Sequence, residues 1–148
     1  MNRPFPFSID EFKALYSQVP RLCVDLVVMS EQGVLLLLRQ KHGWEGMWHF
    51  PGGTVYYQEG VTNAVHRIAE EELGIKVKII KFYKYMEFDE SIVRGYGNAV
   101  SLVFICQPLS SDFTIDDNSS KAEFFKVPPQ NTIPEHSVVM TEAIESQE

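Results

Sequence analysis

The sequence predicts an α/β (α+β) fold, a mixed β-sheet sandwiched between helices. Three observations predict it. Apolar, β-branched runs and helical periodicities follow one another in the order strands, helix, strands, helix. The chain has 148 residues, the size of one ordinary core. Hydrophobic residues make up 45% and charged residues 22%, a globular balance rather than a disordered one. The expected organisation is one domain over 1–148.

Ser8-Ile9-Asp10-Glu11 has the spacing of a helix capping box. Phe12, Leu15, Tyr16 and Val19 then recur at helical intervals, so a short helix is expected over 8–19, ending before Pro20. Leu22–Met29 reads as a strand, interrupted by Asp25, an acid that needs a partner there. Ser30-Glu31-Gln32-Gly33 turns the chain into a second strand, Val34–Arg39. Lys41–Gly46 is loop-like, and Trp48–Val55 is a short extended piece broken at Gly52-Gly53. Glu59–Leu73 reads as a helix stopped by Gly74. Strands are expected over Val77–Glu87, Asn98–Gln107 and Glu123–Val127, with loops over 89–97 and 110–121 and a last helix over Pro134–Ile144. Cys23 and Cys106 lie in apolar stretches and read as buried free thiols.

Asp plus Glu is 20 against 13 Lys plus Arg, a formal net charge of −7. That argues against nucleic acid as a partner, but not against a small anion bridged by a divalent cation. No apolar run of about 18 residues occurs, so no membrane partner is expected. The first residues lack the apolar core of a signal peptide, and the expected location is cytoplasmic. There is no phosphate-binding Gly-Lys-Ser/Thr loop, no His-Glu-x-x-His and no Cys-x-x-Cys. His42, His49, His66 and His136 lack zinc-ligand spacing.

The helix after the paired glycines does not add up as scaffold. With about 100° per residue and Arg67 at zero, Val61, Ala64, Val65, Ile68, Ala69 and Leu73 share one arc. Glu71 falls at the edge of that arc, and Glu72 at about 140°, in its middle. An inward carboxylate needs a basic side chain, hydrogen-bond donors or a cation. Arg67 is placed to pair with Glu71. For Glu72 a hard cation such as Mg²⁺ or Mn²⁺ and a salt bridge to Arg39 or a strand lysine stand as alternatives.

The spacing Gly53, five residues, Glu59, seven residues, Arg67, then Glu71-Glu72-Leu73-Gly74-Ile75 resembles the Nudix box, G-x5-E-x7-R-E-U-x-E-E-x-G-U with U apolar. It spans 53–75 and is preceded by Trp48-His49-Phe50-Pro51-Gly52-Gly53, a lead-in usual for that family. The resemblance implies an αβα sandwich and an Mg²⁺- or Mn²⁺-dependent hydrolase acting on a nucleoside diphosphate linked to another group: a nucleotide sugar, an ADP-ribose-like molecule or a nucleoside triphosphate. It implies catalytic roles for Glu59, Arg67, Glu71 and Glu72, and metal ligation by Gly52, Glu71, Glu72 and Asn118. Arg39, Asp25, Gly53 and Tyr85 are the expected substrate contacts, and a homodimer is an assembly common in the family.

One position departs from the box: Ile68 stands where the family has the Glu after the Arg. The sequence is similar in part to the branch that shares this loss, the GDP-mannose mannosyl hydrolases, and glycosyl hydrolysis is therefore an alternative. That branch's Arg after the two glycines is Thr54 here, and its late-loop Gln and His are Asn118 and Ser119. A serine cannot act as base at neutral pH. Glu87, Asp89, Glu90, Asp116, Asp117 and Glu123 are the candidate bases, and Arg94 is a further candidate phosphate clamp. Tyr56, Tyr57, Tyr85 and Phe88 are candidate base-stacking groups. Ile68 also leaves a non-catalytic nucleotide sensor as an alternative, against which stand the acids that survive.

Overall fold

The computed structural model describes residues 7–89 and 97–147. Helix α1 is Ile9–Tyr16, and Ser8 caps it with a reciprocal capping box to Glu11. It ends three residues earlier than the periodicity of Val19 suggests, and none of its residues is buried. Strand β1 (Arg21–Ser30) and strand β2 (Gly33–Arg39) form the expected hairpin, with Ser30 opposite Gly33. The short β3 (Trp48–His49) pairs with β2, and β4 (Gly52–Thr54) pairs with β1. Strands β5 (Val77–Asp89) and β6 (Asn98–Pro108) are antiparallel to each other, and β6 lies parallel to β1. The sheet is therefore mixed, as expected.

Strand β7 (Ser119–Phe125) pairs with β2 and begins four residues before the strand read from the sequence. Its polar first half, Ser119-Ser120-Lys121, carries no alternating pattern, so its pairing with β2 is what makes it a strand.

Both faces of the sheet are covered, which is why β2 reads as an unbroken apolar run. Leu35, Leu37, Val24 and Leu26 face helix α2 (Val61–Ile68), packing with Ala64, Val65 and Ile68. Val34, Leu36 and Val27 face the other way, packing with Val139, Met140 and Ala143 of α3 (Pro134–Glu145). Cys23 and Cys106 are buried, and no disulfide joins them. Among the described residues no helix is long and apolar enough to cross a membrane.

The helix predicted over Glu59–Leu73 has two parts. It is α-helical over Val61–Ile68 and becomes a π-turn over Ala69–Leu73. A wider i→i+5 turn advances less per residue than an α-turn. The residues after Ile68 therefore lag behind their places on the α-helical wheel. Leu73 swings back into the core and is buried, while Glu72 moves from the middle of the apolar arc to its border and stays partly exposed. Gly74 ends the segment in the left-handed region at φ +66°, where a Cβ would meet Thr114 at 2.9 Å.

Candidate active site

Two constellations grow from the segment after the paired glycines. The first is centred on Arg67. Its Nε donates to Glu59 Oε2 at 2.7 Å, and its Nη2 to Glu59 Oε1 at 3.0 Å and to the Thr54 carbonyl at 2.8 Å. Its Nη1 donates to Glu71 Oε2 at 3.0 Å. The Tyr56 ring lies 3.8 Å beneath the guanidinium carbon, and Glu59 Oε1 also accepts the Tyr56 N–H at 3.0 Å. Burial alone would lower the Arg67 pKa, but the bonds to Glu59 and the charges around it raise it on balance. Arg67 thus ties the glycine strand, the turn at Glu59 and the π-turn into one unit. Glu71, expected as a metal ligand, has one carboxylate oxygen committed to that unit; burial outweighs Arg67 and raises its pKa.

The second constellation is centred on Glu72. The Gly52 N–H donates to Glu72 Oε1 at 3.3 Å. Among the described residues no basic side chain comes within ion-pair distance of Glu72, so the structural salt bridge weighed above is not formed. Burial pushes the Glu72 carboxyl up to about 8, and the charge of Asp116 adds to that. The Gly52 N–H and Arg39 pull the other way, and Asp25 pushes it up again. Asp116 is itself raised by burial, against hydrogen bonds from Asn118. Asn118 N and Nδ2 donate to the two Asp116 oxygens at 3.1 and 3.2 Å. With Nδ2 so engaged, the Asn118 Oδ1 is the amide's remaining oxygen.

Gly52 is closely fitted. A Cβ there would lie 2.2 Å from Asp25 Oδ1 and 2.7 Å from the Val24 carbonyl. Asp25, buried in β1, accepts a short hydrogen bond from Ser101 Oγ, which supplies a partner for the acid that interrupts that strand. Ile68 is 2% exposed, and its Cδ1 would touch a Cβ on Gly53 at 3.3 Å. The residue that replaces the family's glutamate is therefore a packed floor under the glycine pair.

A cleft of about 460 Å³ opens beside this strand. Gly52, Gly53, Asp25, Arg39 and Asn118 line it, with Glu72 and Asp116 behind Gly52 and Asn118. Trp44 and Phe88 line it as well. Tyr85 is not among the lining residues: it is 60% exposed on β5. Tyr57 points to solvent, and Tyr56 is taken up under Arg67. Of the candidate bases, Asp116 adjoins the Glu72 constellation, whereas Asp117 pairs with Lys41 at 2.7 Å and Glu87, Asp89 and Glu123 are exposed. Glu90 and Arg94 lie outside the described residues.

Several cleft residues were missed by the sequence reading, among them Arg21, His49 and His136. Arg21 is buried in β1, and its Nη1 donates to Thr54 Oγ1 at 2.9 Å, so a guanidinium stands beside the threonine that follows the glycines. Alternation with Cys23 and Asp25 along β1, all three lining the cleft, was the available signal. His49 and His136 also line the cleft; being 87 residues apart, they carry no local spacing to read.

The donor set suits a hard divalent cation. Among the described residues no three His, Cys, Asp or Glu side chains are gathered to cage an ion. Mg²⁺ is usually held by one or two carboxylates, with waters and substrate phosphates completing the shell. Glu72, the Gly52 carbonyl and Asn118 Oδ1 are the oxygens available, in a place where burial, and after it the charge of Asp116, already raises the Glu72 pKa.

The chain is similar to known proteins of one family. The NUDIX domain model matches residues 19–142. The chain is 35% identical over 129 residues to the low-salt glycan biosynthesis protein Agl8 of Haloferax volcanii, covering 84% of this chain and 83% of that one. It is 29% identical over 106 residues to an ADP-ribose pyrophosphatase of Methanocaldococcus jannaschii, covering 72% of this chain and 62% of the other. A NUDIX hydrolase structure from Nitrosomonas europaea superposes with a TM-score of 0.74 at 21% identity, over 88% of this chain and 73% of that one. The chain belongs to the NUDIX family, and it is a hydrolase of that family.

Proposed function

We propose that the chain hydrolyses a nucleoside diphosphate joined to a sugar or a similar hydroxylated group, with Mg²⁺ or Mn²⁺ as its metal. The observation that carries this reading is one cleft lined both by Gly52 and Asn118, which hydrogen-bond Glu72 and Asp116, and by Arg21 and Arg39. Carboxylates and cations side by side suit a substrate that brings both metal-seeking phosphates and anionic oxygens. A relative named for glycan biosynthesis supports a sugar, because glycans are assembled from sugars activated on nucleoside diphosphates.

In this reading Glu72, the Gly52 carbonyl and Asn118 hold the metal. Arg39 and Arg21 bind phosphate oxygens. Arg67 and Glu59 are positioning residues that fix Glu71 and the glycine strand, and Asp116 is the candidate base. Bound there, the cation would neutralise non-bridging phosphate oxygens and the charge of the leaving group.

The test is turnover of nucleotide sugars, ADP-ribose and nucleoside triphosphates with and without Mg²⁺ or Mn²⁺. Metal-dependent hydrolysis of a nucleotide sugar or ADP-ribose is expected. No turnover of any of them would defeat the proposal. Ile68 favours a second reading, cleavage at the glycosyl carbon rather than at phosphorus. Hydrolysis in oxygen-labelled water separates the two, since the label enters a phosphate in the first case and the sugar in the second.

A further inference from the structure

The loop from β2 to β3, residues 40–47, borders the cleft, and His42 and Trp44 on it line the cleft together with Arg39 at its root. Its backbone is unusual. His42, Gly43 and Trp44 follow one another in the left-handed region, at φ +66°, +86° and +61°, and Gly46 joins them at +80°. Glycine suits that region, and a bulky side chain is strained in it. The loop has glycine at 43 and 46, yet at 44 it carries an indole in a conformation that costs free energy.

That indole is not spent on the core. Trp44 is partly buried and belongs to neither apolar cluster of the sheet. Trp48, four residues on, is buried and meets Phe125 edge-on at 4.8 Å. The loop is nevertheless held firmly. The Trp44 carbonyl accepts the Met47 N–H at 3.0 Å, and the Arg39 carbonyl accepts the Gly46 N–H at 2.9 Å. Asn131 Nδ2 donates to the Gly46 carbonyl at 2.7 Å. Further bonds fasten the loop to the segment that carries Asn118. The Gln40 N–H donates to the Asn118 carbonyl at 2.9 Å, Gln40 Nε2 donates to the Asp117 carbonyl, and Lys41 pairs with Asp117 at 2.7 Å. One fixed loop thus carries a guanidinium suited to phosphate and, five residues on, a flat aromatic ring.

A sugar is held through partners for its hydroxyls, whereas a nucleobase can be held by its face alone. Beside Trp44, Lys41 is engaged with Asp117, and Glu45 Oε1 accepts the Gly43 N–H at 2.9 Å. The indole face is therefore matched to a base. We infer that Trp44 is the stacking platform for the nucleobase of the substrate, held in place beside the phosphate-binding end of the cleft. The inference rests on the nucleoside diphosphate reading above.

The experiment is tryptophan fluorescence of the whole chain in Mg²⁺, with calorimetric binding on the same samples. The probes are ADP, GDP and UDP, against pyrophosphate, ribose 5-phosphate and mannose 1-phosphate, which lack a base. At least one of the nucleotides should bind and quench the emission, and none of the probes without a base should quench it. Trp44→Phe should lose the quench, since Trp48 is buried in the core. Trp44→Gly suits the left-handed backbone and removes the ring, so the chain should stay folded. It should bind the nucleotide about tenfold more weakly and pyrophosphate as before. Equal losses for nucleotide and pyrophosphate would mean that Trp44 only props Arg39, and would overturn the platform. Nucleotide binding without a quench, a quench that survives in Trp44→Phe, quenching by either sugar phosphate, or no nucleotide binding at all would overturn it too. Wild-type chain that binds and is quenched but never hydrolyses would defeat the proposed function and leave the platform standing. Turnover of a nucleotide sugar with unchanged emission would do the reverse.

Discussion

Arg67 and Glu72 stand five residues apart in one motif, yet their surroundings differ in kind. Around Arg67 charge is paired: two carboxylates, a backbone carbonyl and an aromatic face meet one guanidinium. Around Glu72 it is not, and burial with Asp116 drives the carboxyl up to about 8. The paired half is a joint between strand and helix. The unpaired half is where a cation would restore neutrality. A single run of charged residues thus divides into scaffold and chemistry, and the π-turn between them sets which acid goes where.

The sharpest way to break the comparison is Glu72→Gln. The amide oxygen can still accept the Gly52 N–H, and the group whose charged form the site disfavours is now neutral at every pH, so the melting temperature should not fall. Turnover should drop about a thousandfold in kcat/KM, about 4 kcal/mol of transition-state stabilisation, if Glu72 holds the metal. Full activity in this variant would remove Glu72 from the site. Arg67→Met should do the opposite. It strands Glu59 and Glu71 in a partly buried place and should cost about 3 kcal/mol in urea unfolding. A variant as stable as the parent would show that Arg67 ties nothing together.

The fold was legible because periodicity and covered faces agree: β2 is apolar throughout, and Val34/Leu36 and Leu35/Leu37 pack on opposite sides. Glu72 stood out because an acid inside an apolar arc is a physical contradiction. Its final direction was not legible, because a π-turn has no sequence pattern of its own. The cleft floor was hidden for another reason. His49 and His136 meet through one peptide of Phe50, a contact that only the tertiary fold creates. The place of Tyr85 was not legible either, because an aromatic on a strand carries no sign of which face it takes, and here it takes the solvent face.

Acid titration sharpens the same contrast on the cleft floor. His136 binds its proton less readily folded than unfolded, so the stability it contributes is present above pH 6.5 and is lost as pH falls below it. Each pH unit should remove up to about 1.4 kcal/mol there. Glu72 works in the opposite sense: its raised pKa makes stability decline as pH rises from 4.5 towards 8. The two overlap between about pH 5 and 6.5, so the His136 part is the difference between wild type and His136→Asn in urea unfolding at each pH. Equal slopes for both proteins would mean that His136 titrates normally.

The smallest effect concerns the residue between the two halves. Ile68→Val deletes Cδ1, the atom that fills the space beneath Gly53. The loss of one buried methyl group should cost about 1 kcal/mol in urea unfolding. The Mg²⁺ concentration for half-maximal turnover should stay where it is, because the aliphatic floor touches the glycine strand from the core side and offers no oxygen to an ion. A shift in that concentration would mean that the position of Gly52-Gly53, and not only the acids behind it, sets how the metal is held. The family's glutamate would then have been exchanged for a wedge with its own part in the site.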